Sequence, residues 1–584
     1  MEQLRSKILA QAPTDEQSDA IFTDELEFLL RASPGSGKTW TSCRRFIWRG
    51  ANWAYDTGGL ALLSFTNAAI KEFRQETMKM GMQNLLSDPN YVGTFDSFIE
   101  RFIISPFGYL LSETANRPKL FFTERPGYRS NSNLMVWYEP KKMKIPAWEI
   151  TPILKDGYLR FRKFVLSGSY ELNKQYSQTA VDELLKMGFY THSQRGYWSC
   201  VLLKKYKQIT KRLAKRFPEI IVDEAQDTNP WFYYILNQLR ANGSKVTVIG
   251  DPDQCIYEYN MASPLSLYEI KDKWGISEKP LSESFRCNCN IAEAVKSFSM
   301  NNNFRGCNTE SHLHIPYIFK ETSSNFANSI TRFKDILCQL AIDESDAAIL
   351  CRGHDQLSSI SGGNSYNNFK GKTKLLAKAA FARDNKKNYL EAFEAVRKCL
   401  HQTVKDTNLI ENFWEFVEKI PESDENRNLR LEIWRFIKSS SGLPKINLTG
   451  EAWVAAVRAT FTQLISALDF TTPTRLNNQL SCRGLTQTQK TSALCELYTE
   501  TDQIRYDIIH QVKGESIDAV LLLGADKFWT SAIKAALNNE NTEDKRIAYV
   551  AMTRARHLLL IGLPAAHFDK YSSNWVDFGF RIIE

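Results

Sequence analysis

Residues 26–42 read LEFLLRASPGSGKTWTS, an apolar run that enters a glycine-rich turn and closes on Gly37, Lys38 and Thr39. The run predicts a buried strand and the residues after the turn predict a helix, so the turn sits where a helix N-terminus collects negative charge. Gly35 and Gly37 let backbone N–H groups converge on an anion, Lys38 supplies a point charge, and the Thr39 hydroxyl suits Mg²⁺. Ala32, Ser33, Pro34 and Ser36 complete the loop, with Ala32 where the general motif carries its first glycine. Strand, turn and GKT together predict a phosphate-binding loop in an α/β fold. A second GKT at Gly371, Lys372 and Thr373 follows a polar loop with Tyr366 in the first-glycine position, and it reads as surface.

A phosphate loop needs a carboxylate for its metal and a group to orient water, and PEIIVDEAQD at 218–227 places both after a strand-like run. Asp223 is the candidate metal carboxylate, and Glu224 the candidate to polarise the attacking water. Chemistry at the C-terminal end of a buried strand is what a parallel sheet requires.

In chain order the sequence carries PTDEQSDAI, ASPGSGKT, LLSFTNAA, VGTFDSF, IIVDEAQDTN, VIGDPDQCIYEY, LSESFRC, IIHQVKGES and IAYVAMTRAR. This series resembles the motifs of superfamily 1 helicases of the UvrD/Rep/PcrA type, from about residue 14 to about residue 561. The resemblance implies ATP, Mg²⁺ and DNA as ligands, and two RecA-like parallel-sheet lobes, each with an inserted subdomain. By it, Gln17 reads the adenine edge, Phe285 stacks on the base, and Trp40 stands where the family has an arginine. Arg286 and Arg554 match arginines that approach the γ-phosphate, Gln254 touches that phosphate and its water, and Glu515 or a neighbour meets the ribose. Phe65, Thr66, Asn67, Thr94 and Ser97 match contacts to a DNA strand. Tyr257 and Tyr259 resemble an aromatic pair that stacks on unpaired bases, and His510 a histidine between DNA and the nucleotide lobe. The catalytic set implied is Lys38, Glu224, Gln254, Arg286 and Arg554, and the metal set Thr39 and Asp223.

Four positions depart from the family pattern: Ala68 for lysine, Asp96 for histidine, Asn260 for arginine, and Glu515 directly after Gly514. Each bears on DNA engagement or the ribose contact. The resemblance further implies 3′ to 5′ movement along single-stranded or partly duplex DNA. Chain size and the diverged contacts also resemble helicase subunits of anti-phage systems, such as the Gabija-type protein that accompanies an OLD-family nuclease. The alternative implied is a DNA-sensing ATPase subunit that regulates such a partner and unwinds little.

The motif spacing predicts lobe 1A over 1–100 and 196–280, subdomain 1B over 101–195, lobe 2A over 281–360 and 500–584, and subdomain 2B over 361–499. Within 1B, KKMKIPAWEITPILKDGYLRFRKF at 141–164 alternates like hairpin strands. Subdomain 2B reads as mostly helical, with a basic entry of Lys372, Lys374, Lys378, Arg383, Lys386 and Lys387. The 584 residues exceed one core, and 43% hydrophobic with 24% charged residues is a globular composition. A net charge of +8 permits an anionic partner without naming one. No apolar stretch has signal or membrane-spanning length, which predicts a cytoplasmic protein with no membrane partner. Eleven irregularly placed cysteines fit free thiols. The cluster Cys287, Cys289, Cys307, His312 and His314 lacks the spacing of common zinc sites, so thiols are the reading there too.

Overall fold

The computed structural model describes residues 2–112, 117–121, 132–155, 157–165, 168–256, 265–300, 303–307, 316–323, 326–353, 356–357, 360, 371–384, 388–403, 424–439, 441–468, 470, 473, 476–480 and 504–583. They fall into two units, one carrying Met1–Thr123, Asn131–Arg352 and Asp507–Glu584, the other Gly353–Tyr506.

The first unit holds two six-stranded sheets. One runs Ser277–Leu281, Phe28–Ala32, Lys245–Gly250, Glu219–Val222, Leu60–Ser64, Tyr91–Thr94, with every pairing parallel. A parallel sheet is covered on both faces, so its strands need apolar residues at every position. That is why LEFLLRA and EIIV lack alternation: Phe28, Leu29 and Leu30 are fully buried, as are Leu60 to Leu63 and Ile220 to Val222. Helix Lys38–Ala51 returns from the first strand and packs Phe46 and Ile47 into a core with Phe28, Phe73 and Ile249. The second sheet runs Arg505–Ile508, Ala347–Cys351, Ile517–Leu523, Ala555–Pro564, Tyr317–Glu321, Arg581–Ile583. From Ala347–Cys351 onward its pairings are also parallel, over a core containing Leu350, Val520, Trp529 and Trp575. The chain is an α/β protein with two parallel-sheet lobes of RecA type.

The alternating stretch between the strands of the first lobe forms hairpins, as its pattern predicts. Met135–Tyr138 pairs antiparallel with Met143–Pro146. Thr151–Lys155, Tyr158–Val165 and Gly168–Leu172 make a three-stranded antiparallel sheet, followed by helices Lys174–Lys186 and His192–Lys205.

The second unit is helical, with Gly371–Asp384, Tyr389–Thr403, Asp424–Lys438 and Gly450–Ala467 around Leu376, Val396, Trp453 and Phe461. Two surface readings fail here. The second GKT opens a helix: Thr373 is fully buried and Lys372 Nζ donates to Gln479 Oε1 at 2.6 Å. Arg383 does not belong to a basic face either. Its guanidinium is buried, donates to the carbonyls of Ile437 and Pro444 at 3.1 Å and also meets the Leu443 carbonyl and Asp384, which ties the first helix to the end of the third. Lys386 and Lys387 lie outside the described residues.

Cys287 is buried and Cys289 exposed, and no metal-binding cluster occurs among the described residues, which exclude His312 and His314. No helix among them is long and apolar enough to cross a membrane.

Candidate nucleotide and nucleic-acid site

The phosphate loop is held from three sides. Ser33 N–H donates to the Leu281 carbonyl at 2.9 Å, and Phe285 N–H donates to the Gly35 carbonyl at 2.9 Å. Gly35 has φ +73° and a Cβ there would lie 2.5 Å from Arg286 Cβ, so both backbone conformation and the approach of strand Glu283–Asn288 demand glycine. Gly37, at φ +77°, caps helix Lys38–Ala51. The third support is Gln17. Its Oε1 accepts from Thr14 N–H at 3.0 Å in a capping box, and its Nε2 donates to the Ser36 carbonyl at 3.1 Å. The amide expected at an adenine edge thus props the loop in this state, at 5% exposure.

Lys38, Thr39, Trp40, Glu224, Gln254, Phe285, Arg286 and Glu515 line one cleft of 630 Å³ with Gly35 and Gly37. Phe285 is 51% exposed, a high value for a phenylalanine in a cleft wall and one that suits a planar ligand. Trp40 packs against the core of the first lobe, with the Arg44 guanidinium 4.4 Å from its ring centroid. Ala32, Ser33, Pro34 and Ser36, which complete the loop, are buried.

Across the cleft floor runs a hydrogen-bonded chain. Lys38 Nζ pairs with Glu224 Oε2 at 3.1 Å, and Gln226 Nε2 donates to the same oxygen. Gln226 Oε1 accepts from Asp251 N–H at 3.1 Å, and Asp251 Oδ2 accepts from Gln254 Nε2 at 2.7 Å. Burial raises the Glu224 carboxyl, but Lys38, Lys513 and the Gln226 and Lys38 hydrogen bonds outweigh it and hold the group well below the usual carboxylate range. Glu224 also sits at φ +53°, ψ +39°, a left-handed conformation that costs a non-glycine residue about 1 kcal/mol or more. Asp223 is pushed the other way. Burial, with the Glu224 charge beside it, raises its carboxyl to about 7, and Oδ1 is buried without a hydrogen-bond partner among the described residues. A buried carboxylate oxygen without a donor, within reach of the Lys38 charge, fits a hydrated Mg²⁺ that takes few protein ligands.

The second lobe reaches this floor through buried groups. Lys513 Nζ pairs with Asp227 at 2.7 and 2.8 Å, with side chains 9% and 6% exposed. Arg286 turns onto its own lobe, with Nε donating to Ser516 Oγ at 2.7 Å and a terminal nitrogen to the Gly514 carbonyl at 2.9 Å. Arg554 is fully buried, donates to the Val550 and Glu515 carbonyls at 2.8 and 3.3 Å, and does not reach the cleft wall. Arg556 does line the cleft, paired with Asp518 at 2.9 Å. Breaking one buried ion pair by removing a partner costs about 3 kcal/mol. Lys513→Ala is therefore expected to lower the thermal melting temperature by several degrees, and Lys513→Met with Asp227→Leu to recover most of it; equal melting of Lys513→Ala and wild type would remove the pair from the account.

The residues expected at DNA divide between two clefts that meet at Asp96. Asn67, Thr94 and Ser97 line one of 570 Å³, and Phe65 and Thr66 line another of 830 Å³, while Asp96 borders both. Thr66 also lines the nucleotide cleft. Thr94 caps the helix carrying Ser97, and the Phe65 ring stacks on Phe95 at 5.1 Å beside Phe232. Asp96 does not stand as an isolated negative charge: Arg195, 6% exposed, pairs with it at 3.2 Å. His510 is half-buried, which lowers its pKa, while a hydrogen bond with the Ile256 backbone opposes the shift. Tyr257, Tyr259 and Asn260 lie outside the described residues.

Comparisons with known proteins give the family. A model of the UvrD/REP helicase N-terminal domain matches residues 13–117 and 166–274, and a model of the UvrD-like helicase C-terminal domain matches 364–564. The chain belongs to the UvrD/Rep helicase family. It is 22% identical to a protein named ATP-dependent DNA helicase Rep from Buchnera aphidicola, with 93% of each chain covered. It is 21% identical to the probable DNA helicase II homolog of Mycoplasma genitalium, over 94% of this chain and 84% of that one. To DNA helicase II of Escherichia coli it is 23% identical, over 50% of this chain and 41% of the other.

Five participants escape a motif reading of this family member: Gln226, Asp227, Asp251, Lys513 and Arg546. The first four lie inside quoted motifs, where residue type alone did not reveal the bonds they make. Arg546, one residue before IAYVAMTRAR, is buried and its Nε donates to the Cys255 carbonyl at 2.7 Å. Only a full-buried arginine facing another lobe's backbone discloses it, and that is a property of the fold.

Proposed function

We propose that this family member is an ATP-dependent translocase on single-stranded DNA that moves 3′ to 5′ and separates strands. In this reading lobes 1A (1–100 and 196–280) and 2A (281–360 and 500–584) clamp ATP and Mg²⁺, with 101–195 and 361–499 as subdomains 1B and 2B. The observation that carries it is the segment Asp251–Ile256. Its Asp251 and Gln254 end joins the Lys38–Glu224 pair through Gln226. The same segment is gripped by the second lobe, through Ser299 to Asp253 at 2.6 Å and Arg546 to Cys255. Within three residues of Ile256 the chain reaches Tyr257 and Tyr259.

Bound Mg²⁺ would neutralise phosphate charge, held through Asp223 and Thr39. Lys38 would exchange its pairing with Glu224 for phosphate, which frees the carboxylate to orient a water. Gln254 would report that change through Asp251. Arg286 and Arg554 would leave their backbone carbonyls for the phosphate as the lobes close. Gln17 would have to turn its amide from Ser36 to meet adenine.

Tyr257→Ala with Tyr259→Ala is expected to lose about tenfold or more in affinity for a poly-dT strand, and with it DNA stimulation, while DNA-free hydrolysis persists. Phosphate release with and without poly-dT tests this, and unchanged stimulation returns these tyrosines to structural packing. A second reading, a DNA-sensing ATPase that controls a partner nuclease, draws on the departures at Ala68, Asp96 and Asn260. A strand-displacement assay beside the ATPase assay separates them: strong stimulation with no displacement favours the sensor.

A further inference from the structure

The N-terminal family model leaves out residues 118–165. Those residues carry most of the small antiparallel sheet, and one face of that sheet has a composition of its own. Along strand Tyr158–Val165, alternation puts Phe161 inside, fully buried, and Tyr158, Arg160, Arg162 and Phe164 together on the opposite face. Tyr158 is 70% and Phe164 41% exposed. Lys155 lies opposite Tyr158, and Glu171 opposite Arg162. Arg160 and Arg162 both pair with that one carboxylate, at 2.8 and 3.6 Å, and Lys155 adds a third cation, so the face stays positive. Ile153, opposite Arg160, is the buried residue of this face.

Phe164 also lines the 830 Å³ cleft beside Phe65, Thr66 and Phe232. The sheet face is therefore continuous with the groove whose Phe65 and Thr66 the proposed function gives to DNA. Two aromatic rings six residues apart, about 20 Å along a strand, with guanidinium groups between them, combine base stacking with phosphate pairing. Structural packing leaves both rings unexplained, because each is exposed where a core residue would be covered.

We propose that the face of Tyr158, Arg160, Arg162 and Phe164 is a second binding platform for unpaired DNA, which extends the groove at Phe65 beyond the first lobe. The proposal rests on the DNA-binding reading above and adds a site that the family model passes over. Its occupant is a single strand: exposed rings take stacked bases, which a duplex keeps covered.

The test uses the full-length protein and fluorescein-labelled poly-dT of about 8 and about 20 nucleotides, lengths that bracket one groove and groove plus platform. Anisotropy titrations compare wild type with Tyr158→Ala plus Phe164→Ala, and with Tyr158→Phe plus Phe164→Tyr. The alanine pair is expected to weaken binding of the longer strand about tenfold or more and of the shorter strand less than about threefold, and the aromatic pair to restore it. Melting temperatures within a degree or so of wild type would show that the fold is kept. Equal affinities of wild type and the alanine pair for the longer strand would overturn the platform alone. So would a loss confined to blunt duplex, or a change in self-association with DNA affinity intact, which would assign the face to duplex or to a second copy of the chain. Failure of wild-type protein to bind either strand would overturn the platform and the proposed function together.

Discussion

Glu224→Gln is expected to lower ATP turnover by about two to four orders of magnitude while nucleotide still binds. A positioned carboxylate that orients water contributes on the order of 10²–10⁴-fold, and glutamine keeps the size but loses the charge. The geometry favours this role for Glu224 over Asp223. Glu224 stands in the cleft wall, held ionised by Lys38 and Lys513, whereas Asp223 is 1% exposed beneath it. Lys38→Ala should lose turnover to a similar degree and also weaken nucleotide binding, because the proposed function gives the same ammonium to the phosphate. Phosphate release with and without single-stranded DNA, beside a fluorescent-nucleotide titration, measures both. Near wild-type turnover in either variant would remove the site assignment.

Arg286→Ala and Arg554→Ala are the second pair of large effects, with a loss in turnover of about 10³-fold or more if each arginine stabilises charge on the transferring phosphate. The two should differ in what else they lose. Arg286 lines the cleft and donates to Ser516 and Gly514, so its removal leaves few buried groups behind. Arg554 is fully buried, and its loss strips donors from the Val550 and Glu515 carbonyls, so Arg554→Ala should also melt earlier than Arg286→Ala. Arg554→Lys, which keeps a charge but not the fork of donors, should recover stability more than turnover. Turnover at the wild-type rate in Arg286→Ala would make that arginine a strut of the second lobe.

Much of the fold was legible because its signals are local. A parallel strand is apolar at every position and ends at a functional turn, so LEFLLRASPGSGKT and EIIVDE located themselves, and the family series supplied their order. The alternation of TPILKDGYLRFRKF likewise predicted the hairpin sheet. What the sequence could not disclose was pairing at a distance. Gln17 is spent on Ser36, Asp96 is matched by Arg195, and Asp227 by Lys513, with partners separated by 19, 99 and 286 positions. The surface reading of the second GKT failed for the same reason: Gly371, Lys372 and Thr373 open a helix whose burial depends on segments far along the chain. Residue type states what a side chain can bind, and only the fold decides what it does bind.

The left-handed backbone of Glu224 sets folding against the chemistry proposed for its side chain. A residue with φ +53° is one at which glycine or asparagine would fold more easily than glutamate. Keeping a carboxylate at that position taxes the stability of every folded molecule, and the tax is owed whether or not nucleotide is present. Glu224→Gly should therefore melt later than wild type while losing the carboxylate, which sets the stability of this turn against the turnover proposed for it.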